Sequence, residues 1–114
     1  MNCVNWSELE WDEVMPGMKR KVVHAESFTM VLVDLAPNLD LSFHNHIHEQ
    51  AIMVLEGGVE FTLENETRSI GPGDVVRIPP SAEHGGKVGD SHTQLIDLFS
   101  PQRDEFPASA RKSG

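Results

Sequence analysis

The stretch HNHIHEQ, residues 44–50, decides how this chain is read. His44, His46, His48 and Gln50 share parity. An extended strand turns alternate side chains to one face, so all four are expected on the same side. Imidazole is the commonest protein ligand for transition metals. The bland alternative is a polar stripe on an exposed strand. Glu49 has the opposite parity and would reach that face only through a bulge.

Outward from this stretch, the pattern is short strands punctuated by turns. KRKVVHA and SFTMVLVDL precede it, with APNLD as a turn cluster between. AIMVLEG follows, and Gly57-Gly58 signals a hairpin or bulge. In VEFTLE, Val59, Phe61 and Leu63 alternate with Glu60, Thr62 and Glu64. TRSI, the turn GPGD, VVRI, PPSAEHGG and a last strand HTQLIDLF complete the series. No long amphipathic helix is evident. Many short strands with regular turn signals predict an all-β sandwich or barrel, whose closure hides strand edges. Residues 1–16 read as an N-terminal arm with Trp6 and Trp11 as anchors, 17–107 as the barrel, and 108–114 as a flexible tail.

The 114 residues suffice for one packed domain. A formal charge of −9 argues against nucleic acid or an anionic membrane as the partner. An anionic ligand would need a local positive centre. The single cysteine, Cys3, permits no intrachain disulfide, and no base is indicated beside it. No run approaches the ~20 apolar residues of a membrane span. MNCVNWSELEWDEV lacks the basic and apolar regions of a secretory signal, so cytoplasm is the expected location.

The second half of the chain supplies a further histidine, His84, five residues past Pro79. Here the sequence resembles the cupin superfamily. The first cupin motif is G-x5-H-x-H-x3/4-E-x6-G, and Asn38, His44, His46, Gln50 and Gly57 occupy its positions. The second is G-x5-P-x-G-x2-H-x3-N, occupied by Gly73, Pro79, Ser81, His84 and Val88. Asn38, Gln50, Ser81 and Val88 depart from the pattern. The resemblance implies a single-domain cupin, a double-stranded β-helix or jelly-roll barrel. It nominates His44, His46, Gln50 and His84 as ligands of one divalent metal ion. Zinc and nickel come first, with iron, manganese and copper as alternatives. His48 is skipped by the motif and is assigned to substrate binding. His24 and His92 match nothing and are read as surface or internally satisfied residues.

A neutral amide in place of the glutamate leaves the cation's charge uncompensated, which suits an anionic ligand. The closing LIDLFSPQRDEF adds Asp97 on the same strand face as Leu95 and Phe99, and Arg103 in the loop beyond. An acid at an inward position is costly in a dry core but useful as a general acid or base in a barrel mouth. Together with GMKRKVV, VLEG and GPGDVVRIPPSAEHG, this segment is similar to the pectin-degradation (KdgF-like) cupins, whose pattern D-x-F-x3-R falls on Asp97, Phe99 and Arg103. That resemblance implies catalytic roles for Asp97, Phe99 and Arg103, with Phe99 and Arg103 also touching substrate. The implied reaction opens 4,5-unsaturated uronates, the small anionic sugar acids released by pectin and alginate lyases, to linear keto acids. A non-catalytic sugar-acid sensor and an iron-dependent dioxygenase are the competing expectations. A homodimer is expected, because small open-edged domains gain from pairing.

Overall fold

Alternation of apolar and polar side chains builds two antiparallel sheets around one core. The computed structural model describes residues 1–113. Its strands are β1 (Asp12–Met15), β2 (Met18–His24), β3 (Thr29–Leu35), β4 (Asp40–His44), β5 (Glu49–Glu56), β6 (Val59–Leu63), β7 (Glu66–Ile70), β8 (Val75–Ile78), β9 (His84–Val88) and β10 (Thr93–Ser100). One sheet has the order β1-β2-β3-β10-β5-β8, and the other β4-β9-β6-β7. This is the jelly-roll barrel that the motifs imply. No helix among the described residues is long and apolar enough to cross a membrane.

The core lies between the sheets. Val31, Val33, Leu35, Ile52, Val54 and Leu95 face it from the first sheet, and Val59, Phe61, Ile70 and Val88 from the second. The turns fall where the sequence punctuates. Asp74 accepts from the Gly71 N–H at 2.8 Å, and Gly73 adopts a positive φ of 88°. Gly57 has φ 76° and packs so closely on Thr93 and the His92 carbonyl that a Cβ would collide with them. That close approach closes the hairpin into β6.

Two expectations change. The stretch 41–50 is not one strand: β4 ends at His44, residues 45–48 form a loop, and β5 begins at Glu49. The chain leaves the four-stranded sheet and enters the six-stranded one within this loop. The arm and tail are also tied down. β1 pairs with β2. The Ser109 N–H donates to the Val22 carbonyl at 3.0 Å, Glu10 N–H to Ala110 O at 2.8 Å, and Lys112 N–H to Glu8 O at 2.8 Å. The tail thus extends the edge that β1 starts, so backbone groups expected to meet water find partners instead. The tryptophans anchor the arm through Lys21, whose ammonium lies 4.5 Å from the Trp11 ring centroid and donates to the Trp6 carbonyl at 2.8 Å.

Candidate metal centre and pocket

Three imidazoles converge where the two sheets meet. His44 ends β4 and His84 opens β9, and the two are cross-strand partners with ring centroids 4.3 Å apart. His46 comes from the loop. Ser81 holds that loop in place, its N–H donating to the His46 carbonyl at 2.7 Å. One ring nitrogen from each of His44, His46 and His84 lies within 4.8 Å of the others. Gln50 arrives from the opposite sheet, at the start of β5, with its Oε1 2.9 Å from His46 Nε2.

The hydrogen bonds behind these rings identify the free nitrogens. The Nδ1 atoms of His44, His46 and His84 face the carbonyls of Ser42, His48 and Ala82, each at 2.9 Å. A carbonyl only accepts, so each Nδ1 carries the proton and each Nε2 of a neutral ring keeps its lone pair. Burial favours the neutral form, holding His46 and His84 below the ordinary histidine range. His84 Nε2 is buried without any hydrogen-bond partner. His46 Nε2 meets another acceptor, Gln50 Oε1. An orphaned lone pair and two facing acceptors are both satisfied by a cation between them. Outer-shell carbonyls that fix the tautomer are the usual support of a metal-binding histidine. His44, His46, His84 and Gln50 therefore fit a metal ion by the chemistry of their donors.

His48 does not join the three. Its ring lies edge-on to His46 and Phe99, with centroids 5.6 and 6.4 Å away, and its Nδ1 is buried without a partner. It is not among the residues lining the cavity described below. His24 is internally satisfied, with Nδ1 2.8 Å from Thr29 Oγ1 and Nε2 2.7 Å from the Phe106 carbonyl. His92 bridges Asp34 and Glu56 on the surface.

Asp97 sits in the middle of β10, opposite Val31 of β3 and Ile52 of β5, on the inward face with Leu95 and Phe99. Its Oδ1 accepts from Gln50 Nε2 at 2.9 Å. That bond turns the other end of the amide, Oε1, toward His46. Protein atoms crowd the Asp97 carboxyl, and the loss of hydration pushes its pKa up to about 6, against the opposing pull of the Gln50 amide and the Arg103 charge. A cavity of about 430 Å³ opens over this group, lined by His44, His84, Gln50, Asp97, Phe99 and Arg103 among others. Arg103 is held there in several ways. Its N–H donates to Thr29 Oγ1 at 2.9 Å, and its Nε to Glu105 at 2.6 Å. Its guanidinium lies 5.0 Å from the Phe99 ring centroid and 4.4 Å from that of Phe106.

One charged cavity residue is given no role by the cupin motifs or by D-x-F-x3-R, although it falls within GMKRKVV. Arg20 of β2 lines the same cavity. Its inward parity, shared with Met18 and Val22, was the available signal: a cation between apolar residues on a strand.

The cupin-domain family model matches residues 31–99 of the chain. The pectin degradation protein KdgF of Dickeya dadantii (strain 3937) is 34% identical over 101 residues, covering 87% of this chain and 92% of that protein. The structure of KdgF from Halomonas sp. superposes with a TM-score of 0.85 at 34% identity, over 89% of this chain and 94% of that one. An RmlC-like cupin from Shewanella frigidimarina NCIMB 400 gives a TM-score of 0.85 at 25% identity, over 91% and 94% of the two chains. Motifs, barrel and relatives agree: the chain belongs to the cupins and, within them, to the KdgF family.

Proposed function

We propose that this cupin is a metal-dependent enzyme that opens 4,5-unsaturated uronates, the products of pectin and alginate lyases, to linear keto acids. The observation that carries this reading is the Asp97 carboxyl, with a pKa of about 6, bonded to the Gln50 amide beside three converging imidazoles. The kinship with pectin degradation proteins supplies the substrate class.

His44, His46, His84 and Gln50 would hold the ion. When bound, it supplies Lewis-acid polarisation of a substrate oxygen. The remaining steps belong to the chain. Arg103 forks its free Nη groups onto the substrate carboxylate. Phe99 offers an apolar surface to the flat enol-ether part of the ring. Asp97, mostly carboxylate at neutral pH but with its pKa raised to about 6 so that the acid form is within easy reach, takes up and delivers the proton that ring opening and ketonisation require.

The test is to incubate metal-loaded protein with a lyase-generated unsaturated uronate and follow its ultraviolet absorbance. Bleaching faster than the spontaneous reaction is expected, and no acceleration would overturn the reading. Asp97→Asn retains an oxygen that can accept from Gln50. It should therefore keep the metal while losing roughly 10²–10⁴-fold in rate.

A further inference from the structure

We propose that Arg20 and Arg103 together form a two-arginine clamp for the carboxylate of a sugar acid; the proposal rests on the reading of this pocket as a sugar-acid site. Arg20 falls within GMKRKVV but outside both cupin motifs and D-x-F-x3-R, which assign it no role, yet it is mounted like Arg103. The Arg20 guanidinium stands 4.3 Å from the Phe106 ring centroid, and that of Arg103 stands 4.4 Å from the same ring. Each has its Nε bonded to a carboxylate, Asp12 at 3.2 Å for Arg20 and Glu105 at 2.6 Å for Arg103. Each side chain is 18% exposed. Both line the cavity over Asp97.

This mounting leaves one edge of each guanidinium free. Among the described residues, neither arginine uses an Nη group in a hydrogen bond. Nor are those atoms buried orphans, since only His48 Nδ1 and His84 Nε2 are. The unpaired N–H groups are therefore accessible to solvent, on two side chains that line the cavity. A carboxylate has about four lone-pair sites on two oxygens and can accept from two guanidiniums at once. The Asp12 and Glu105 side chains are 46% and 50% exposed, so solvent screens their charge. On the cavity wall itself the acids are Asp40 and Asp97. The clamp thus gives an acidic chain a local basic patch, at a place where a structural arginine would need no free edge.

Stacking on Phe106 also ties the clamp to the closing segment. The Phe106 carbonyl faces His24 Nε2 at 2.7 Å, which fixes the ring that both arginines share. β1 supplies Asp12 directly opposite Arg20 in register. Both ends of the chain therefore contribute to positioning one pair of cations.

The experiment is calorimetric titration of zinc-loaded protein with galacturonate and with its uncharged methyl ester. Wild type should prefer the acid. Arg20→Gln should weaken galacturonate by about tenfold or more while leaving the ester unchanged, as loss of a charge-assisted bond requires. Arg20→Lys keeps the charge and the apolar stem, guards against a folding defect, and should recover part of the loss. Acid affinity within twofold of wild type in Arg20→Gln would overturn the clamp. So would equal weakening of acid and ester, or no preference for the acid in wild type. Arg20-dependent acid binding without uronate turnover would sink the proposed reaction and leave the clamp standing.

Discussion

Gln50 has one side chain and two obligations. Its Nε2 donates to Asp97 and its Oε1 faces His46, so the acid and the imidazoles each constrain the other through a single amide. Gln50→Glu would set a second carboxylate against Asp97, and two like charges in contact cannot both ionise easily. The limb of the pH–rate profile that Asp97 sets should therefore move up by about one to two pH units, while cation affinity increases. A profile unmoved by Gln50→Glu would separate Asp97 from the proton transfer. Asp97 also makes a prediction about stability. Its folded pKa of about 6 lies above the reference 3.8. Below the lower value both folded and unfolded chains are protonated, and the group has no effect. As pH rises from there to about 6, the unfolded chain loses its proton first, so folding stability falls. Above that window the whole penalty applies, on the order of 3 kcal/mol. Urea unfolding of chelator-treated protein should find Asp97→Asn more stable than wild type at pH 7.5, with that advantage gone at pH 3.5. An advantage of equal size at both pH values would mean that ionisation is not its cause.

At the scale of elements, the loop 45–48 and the turn at Ser81 carry the site between sheets. Ser81 stands where the motif has glycine and adopts φ 66°. A side chain in that left-handed region costs roughly 1–2 kcal/mol, partly offset because glycine loses more entropy on folding. Ser81→Gly should therefore stabilise the protein by about 0.5–1 kcal/mol, seen as a modest rise in thermal midpoint. The bond from residue 81 N–H to His46 O would remain, so metal uptake should not change; a lower midpoint would mean that the serine side chain matters more than its backbone strain. This turn was legible as a departure from a motif. The strands were legible as well: Val59 and Phe61 alternate into the core as VEFTLE implies, and Leu95, Asp97 and Phe99 share the inward face. The break after His44 was not. Local alternation continues across it, and leaving one sheet for another is a tertiary event with no signature in the period. The convergence of His44 and His46 with Gln50 was therefore foreseeable from motif spacing, but a single strand face was the wrong reason for it. β1 and the tail were missed because charged, short segments become strand-like only when a distant edge needs partners. Arg20 was missed for a related reason: its role depends on Phe106, far away in sequence.

For the whole molecule, the remaining feature is the outer face of the six-stranded sheet. Met53, Leu55, Val75 and Leu98 are 45%, 42%, 57% and 37% exposed. Register places Met53 beside Val75 on one side and Ile96 on the other, and Leu98 beside Ala51. Met53, Val75, Ile96 and Leu98 thus form an apolar strip on this face, bordered by Arg77 opposite Ala51, in a chain that carries a net charge of −9. Scattered exposed apolar residues need no explanation, but a continuous strip on a sheet face calls for a cover. A second copy of this chain is the occupant that we propose. Its matching strip is equally apolar, and two such faces related by a two-fold axis are self-complementary without bringing the acidic surfaces together. The cavity opens between the sheets and not on this outer face, so pairing leaves ligand access free. Light scattering should then give twice the 12.7 kDa chain mass. Met53→Glu and Val75→Lys, each made alone, place an unpaired charge in the middle of the strip and should shift the protein to monomer at micromolar concentration. Both side chains point away from the imidazoles, so metal uptake should survive in the monomers. A wild type that runs as a monomer would remove the second copy, and a dimer indifferent to both substitutions would place the interface on another face.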